Sequence, residues 1–172
     1  MGVLTSEIVL YYSKVSGGSQ SDPNDSIGGA IASNGPTDNT INHVWDDVTG
    51  DEAVSGTTEY RILYIQNDSA TDSLENTKFW VSQITASTTD EVAIALMAAG
   101  KNGTAERLTD ETTAPSGGES FTAPTSKATG LSIGTLAAGD NYPICIRRVV
   151  DASSPAYDAN NYKIKFEGDT SL

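Results

Sequence analysis

The sequence predicts an all-β fold: an antiparallel β-sandwich in a single domain covering residues 1–172. Three observations carry this expectation. Short runs alternate apolar and polar residues at a period of two, as half-buried strands do. Clusters of Gly, Asn, Asp and Ser, such as "NDSATDSLEN", "AAGDNY" and "DASSPAYDANN", separate the runs. Helical periodicity is almost absent and no βαβ rhythm appears, which points away from a parallel sheet. Jelly-roll and immunoglobulin-like connections both fit this pattern.

The first strand is "EIVLYYS". After it comes "SGGSQSDPNDSIGGAIASNGPTDN", long, polar and rich in Gly and Ser, which reads as an extended arm or surface loop at about 16–39. "EYRILYIQND" places Tyr60, Ile62 and Tyr64 opposite Arg61, Leu63 and Ile65. Both faces are largely apolar, so this strand is expected to be central. "TKFWVSQI" and "DEVAIALMA" follow, the second with Val92, Ile94 and Leu96 on one side. "INHVWDDV" and "DEVAIALMAAG" are the two stretches that a short helix could also take.

"GLSIGTL" is the next strand. "NYPICIRRVVD" sets Ile144 and Ile146 against Cys145 and Arg147, with Pro143 required at the strand's start or at an edge because it has no N–H to donate. "YKIKFEG" is the cleanest case: Tyr162, Ile164 and Phe166 share one face, Lys163, Lys165 and Glu167 the other. The expected core is Ile62, Tyr64, Ile94, Ile144, Ile146, Ile164 and Phe166, with Trp45 and Val48 over one end of the sandwich.

A chain of 172 residues can bury about 70% of its unfolded surface. Apolar residues make up 37%, but aromatics only 7%, so aliphatic side chains must fill much of the interior. The formal net charge is -13, from 23 acidic and 10 basic residues. Such a surface repels nucleic acid and anionic membranes, since Lys and Arg supply most of the affinity for phosphate. No apolar run reaches the ~18 residues of a membrane span.

The start, "MGVLTSEIVLYYSK", lacks the basic residues and long apolar run of a signal peptide. Gly2 and Ser6 match the N-myristoylation pattern, which a small-residue N-terminus produces by chance. The single Cys145 excludes an internal disulfide, and with the single His43 it cannot build a Cys/His zinc site.

Chemistry is sparse. A Ser-His-Asp set would have to use His43, and no serine sits in a G-x-S-x-G elbow. A lone histidine two residues from Trp45 reads as a capping or packing residue, and no residue is assigned to catalysis. "AAGKNG" has Ala95 in place of the first glycine of a phosphate loop and Asn102 after Lys101, so it reads as a hairpin turn.

Asp46, Asp47, Asp51 and Glu52 are too close together to flank a sugar as acid and base. Grouped around Gly50, they are instead the candidate ligands for Ca2+, a hard cation that takes six to eight oxygens. "DPNDS" offers Asp22, Asn24 and Ser26 at the alternation of a calcium loop, but Ile27 replaces its glycine and Ser33 its glutamate. A solvated acidic loop explains the same residues without an ion. Asn24, Asn67 and Asn102 head glycosylation sequons.

Taken together, "GGSQSDPNDSIGGAI", "VWDDVTGDEAVSGTTEYRILYIQN" and "APTSKATGLSIGTLAAGDNYPICIRRVVDASSPAYDANNYKIKFEGDT" resemble a family of small β-rich virion structural proteins of tailed phages and related viruses. The resemblance runs from about Ser16 to Thr170. Its most specific parts are the "DDVTGDEA" to "EYR" block, the "LAAGDNY" to "IRR" block and the terminal "EGDT".

It implies a capsid decoration or cement protein on the head exterior, with no enzymatic activity. The partners would be the major capsid protein and copies of itself, in a homo-oligomeric arrangement on the particle. A tail or baseplate component contacting tail proteins is the alternative location. A carbohydrate-binding host-recognition module is the alternative role, for which Tyr157, Tyr162 and Trp80 are the candidate platform. The polar arm is expected to reach a neighbouring subunit.

Overall fold

The computed structural model describes residues 2–37, 40, 42–84, 89–155 and 161–170. Eight strands follow in chain order: β1 (Ile8–Lys14), β2 (Ala30–Ile31), β3 (Thr57–Asn67), β4 (Leu74–Ile84), β5 (Asp90–Leu96), β6 (Leu131–Leu136), β7 (Asn141–Val150) and β8 (Tyr162–Thr170). Among the described residues one short α-helix, α1 (Gly50–Ser55), precedes β3. The described part of "INHVWDDV", residues 42–48, forms no helix, and "DEVAIALMAAG" contributes β5.

The strands make two antiparallel sheets, ordered β2-β1-β3-β7-β5 and β6-β4-β8. From β3 onward each successive strand lies in the opposite sheet, so every connection crosses the sandwich. That alternation is the jelly-roll manner of joining two sheets. An immunoglobulin-like sandwich instead keeps consecutive strands such as A and B in one sheet. The β1–β2 ribbon is an N-terminal addition to the larger sheet.

Two cores result, because the larger sheet is covered on both faces. Between the sheets, Leu63, Ile65, Ile94, Ile144 and Ile146 meet Phe79, Val81, Ile133 and Leu136. On the outer side of the larger sheet, Ile62, Tyr64 and Cys145 pack under Ile27, Met97, Ala105 and Leu108. This explains why β3 is apolar on both sides: it is central in its sheet and capped above and below. The cover also closes the outer edge of β5, where Thr122 and Ile94 exchange backbone hydrogen bonds of 3.0 and 2.8 Å.

Pro143 sits near the start of β7, although β7 is an inner strand. Its carbonyl accepts from Met97 just past the last β5–β7 pair, Leu96–Ile144, so its missing N–H faces a point where that ladder has ended. Ile164 and Phe166 depart from expectation: with Tyr162 they face the inter-sheet core but are only half-buried. The reason is that β8 is an edge strand, paired with β4 alone.

The stretch at 16–39 also differs from a free arm. Its described part is docked on the sandwich, with Gln20, Ser26, Ile27 and Ala32 buried. The Ser26 hydroxyl accepts from Ser13 N (2.9 Å) and donates to the Ile62 carbonyl (2.9 Å), along the part of β3 that β1 has left. Glycine serves contact here rather than looseness. Gly28 has a φ of +112° and lies so close to the Glu106 carbonyl that a Cβ would collide with it.

Candidate functional site

Asp51 and Glu52 belong to α1, and the local sequence explains why the helix starts there. Thr49 is its N-cap: the hydroxyl accepts from Glu52 N (3.3 Å), while Glu52 Oε2 accepts from Thr49 N (2.7 Å) and Thr49 Oγ1 (2.8 Å). The hydrogen bonds from Thr49 hold the Glu52 carboxyl below its usual range. Asp51 lies in the first turn, where the helix dipole favours an anion. Asp47 is exposed.

Asp46 faces a different group of residues. Its carboxylate comes within 4.8 Å of those of Glu59 and Glu111, the one such gathering of metal-ligating side chains among the described residues. Two guanidinium groups share the space. Arg61, 0% exposed, donates from Nη2 to Glu111 Oε2 (2.6 Å) and Asn24 Oδ1 (2.6 Å), and from Nε to the Val44 carbonyl (3.1 Å). Arg148, 7% exposed, donates from Nε to Glu59 Oε2 (2.6 Å) and from Nη1 to the Asp46 carbonyl (3.0 Å).

Arg148 Nη2 touches the same Glu59 oxygen but lacks hydrogen-bond alignment, and it lies 3.7 Å from Asp46 Oδ1. The Trp45 ring holds both cations, with guanidinium carbons 4.8 Å (Arg61) and 5.0 Å (Arg148) from its centroid.

Glu59 and Arg61 occupy the same face of β3 as Leu63 and Ile65, so these charges enter the inter-sheet space at the end where the apolar core stops. Burial pushes the Glu59 carboxyl up, against the pull of Arg148. Trp45 closes this end of the sandwich, as its position in the sequence suggested.

Of the four candidate calcium ligands Asp46 alone joins this gathering among the described residues, and its three carboxylates already face two arginines. Asp22, Asn24 and Ser26 are likewise engaged one by one: Asp22 caps a 3-10 turn through Asn24 N (3.0 Å), Asn24 binds Arg61, and Ser26 binds the backbone of β1 and β3. Sequence reasoning missed Glu59 and Glu111. The one available signal was the pair Glu59 and Arg61, charged on a face that is otherwise apolar.

His43 ties down a loop: Nδ1 accepts from Thr37 N (3.0 Å), and its carbonyl accepts the Tyr12 hydroxyl (2.6 Å). The open polar cleft beside it, about 320 Å3, has Tyr12 as its one aromatic, and Tyr12 is itself buried. Trp80 is 7% exposed and Tyr162 is half-buried against the core; Tyr157 lies outside the described residues. Trp80 and Tyr162 thus form no open platform for a sugar. Cys145 is fully buried, and burial pushes its thiol up. Asn67 is buried too, its amide donating to the Asp72 and Leu136 carbonyls (both 2.9 Å), so the folded chain presents no acceptor there.

Fold and site together define an antiparallel β-sandwich whose buried charged side chains close the end of the fold. No family model, curated protein or solved structure matches this chain.

Proposed function

We propose that the chain is a structural protein of a virion, a capsid decoration protein held on the head exterior in many copies. One observation supports this most: the two sheets are finished unequally. The larger sheet is covered on its outer side by the chain's own residues 97–122. The smaller sheet exposes an outer face, with Lys163, Lys165, Glu167 and Asp169 in water on a nine-residue edge strand.

A sandwich with one covered side and charged side chains in water along the β8 edge of the other suits a protein that works by lying against a neighbour. The resemblance of its sequence blocks to virion structural proteins gives that neighbour a class, the subunits of a shell. One small domain touching several subunits gains affinity when the shell holds them at fixed spacing. The -13 charge keeps such a protein soluble before it docks.

The test is the copy number in purified particles. Hundreds of copies per virion, bound to assembled shells and not to free capsid subunits, fit a head coat. A count of about three to a dozen would move the protein to the tail or baseplate, where cyclic symmetry limits the number. Absence from purified particles would overturn the virion reading itself.

A further inference from the structure

The charges of this chain are segregated across the sandwich. On and beside the outer face of the smaller sheet, toward its β8 edge, lie Lys78 of β4, Lys163 and Lys165 of β8, and Lys127, which bonds Glu167 Oε1 (2.8 Å) and Asp169 Oδ1 (3.4 Å). With Glu75 counted, this region holds four lysines against three carboxylates. The rest of the chain is left with 20 acidic against 6 basic residues.

The opposite side carries the contrast. The cover over the larger sheet, together with the docked 22–27 segment beside it, presents Asp22, Asp25, Glu106, Asp110 and Glu119. Its cations are Arg107, Lys101, which pairs with Asp140, and Arg147, which pairs with Glu91 beneath Phe121. None of these five carboxylates is in an ion pair among the described residues. Their hydrogen bonds, such as Ser116 Oγ to Glu106 Oε2 (2.6 Å) and Thr112 Oγ1 to Asp110 Oδ1 (2.8 Å), fix the groups without neutralising them.

We propose that copies of this chain pack face to back, the lysine-bearing face of one against the acidic cover of the next. Charge complementarity selects the occupant, because the acidic cover of a second copy matches this face. The contact is heterologous, so it repeats from copy to copy and lays a continuous row instead of closing into a two-fold dimer. It is also a contact of faces: outward lysines on an edge strand oppose strand-to-strand pairing at β8. The inference rests on the reading of the chain as a many-copy structural protein and specifies what holds neighbouring copies together.

Salt gives the contact a signature. Two copies of charge -13 repel over long range, while the opposed faces attract only near contact. At about 0.01 M salt the screening length is about 30 Å and repulsion dominates; at about 0.15 M it is about 8 Å and the contact survives; at 1 M, about 3 Å, both fade.

Sedimentation velocity of the whole chain at these three salt concentrations is the test, with association expected to peak at the middle one. Lys163→Glu with Lys165→Glu should weaken that association at least tenfold while leaving the circular dichroism spectrum unchanged. Mixing this variant with a Glu106→Lys, Asp110→Lys variant should restore it. A monomer at every salt concentration overturns the proposal. So does association that only grows toward 1 M, or a Lys163→Glu, Lys165→Glu variant that associates as well as the unaltered chain, in which case the lysines merely guard the β8 edge. None of these outcomes touches the copy number in particles, which tests the virion reading separately.

Discussion

Glu59 of β3 and Arg148 of β7 stand directly opposite each other in the antiparallel ladder, 1% and 7% exposed, joined by a 2.6 Å hydrogen bond across 89 residues of chain. A buried pair of this kind adds little over a well-packed apolar pair, but breaking it strands a charge. Arg148→Ala should therefore lower unfolding stability by about 3–5 kcal/mol. Arg148→Lys should also be costly, since an ammonium cannot serve Glu59 and the Asp46 carbonyl with one planar fork. Adjacent Arg147 makes a contrast: it bonds Glu91 Oε1 (2.9 Å), whose side chain is 60% exposed, so Arg147→Lys should change stability by about 0–1 kcal/mol. Urea midpoints of the three variants check this, and equal losses at both arginines would refute it.

The same network predicts two opposite pH responses. Burial raises the Glu59 pKa above its ordinary 4.5. Its contribution to stability is then fully present below the unfolded value and is lost as pH climbs through the folded value. Glu52 is shifted down by the hydrogen bonds from Thr49, so its contribution is present above the unfolded value and is lost as pH falls through the folded one. Stability of the unaltered chain relative to Glu59→Gln should fall as pH climbs above the ordinary value of 4.5, and relative to Glu52→Gln it should be lost as pH drops below that value. Parallel curves for all three would show that neither carboxyl titrates differently on folding.

The strands were legible where one face or both had to be apolar. "YKIKFEG" and "EYRILYIQND" announce β8 and β3 because side-chain alternation is a local property of the backbone. β2 was not legible, since two residues carry no period. The closed end of the sandwich was half legible: Trp45 marked it, but its partners Glu59, Glu111 and Arg148 arrive from distant segments, and no local spacing encodes a cross-strand neighbour. Asp51 and Glu52 drew attention as ligands, yet the Thr49-to-Glu52 spacing is that of a capping box, which explains the same acids by a shorter-range rule.

Edge and centre should separate in mutational cost. Phe79 of β4 is 0% exposed between the sheets, whereas Phe166 of β8, its direct cross-strand partner, is half-buried. Phe79→Ala should cost about 3–5 kcal/mol, as for a full core phenylalanine. Phe166→Ala should cost less than that, because much of its ring is already in water before unfolding. Thermal and urea unfolding of the two variants would settle the order. A larger loss at Phe166 would mean that β8 is covered in the isolated protein by something beyond β4.

The Gly/Ser-rich segment after β1 offers the sharpest contrast between composition and structure. A flexible arm could be cut away without loss, whereas the docked segment supplies Ile27 to the second core and Ser26 to the backbone of β1 and β3. Deleting residues 17–35 should therefore destabilise the fold, removing a buried isoleucine and leaving the Ser13 and Ile62 backbone groups without their partner. Two point variants isolate the causes. Ser26→Ala should cost about 1–3 kcal/mol, the penalty for buried polar groups left unpaired. Gly28→Ala should cost more than the ordinary change at a surface loop, because a Cβ meets the Glu106 carbonyl and the φ of +112° disfavours any side chain. If both point variants and the deletion unfold at the same urea concentration as the unaltered chain, the segment is an arm after all, and its contacts contribute nothing to the folded state.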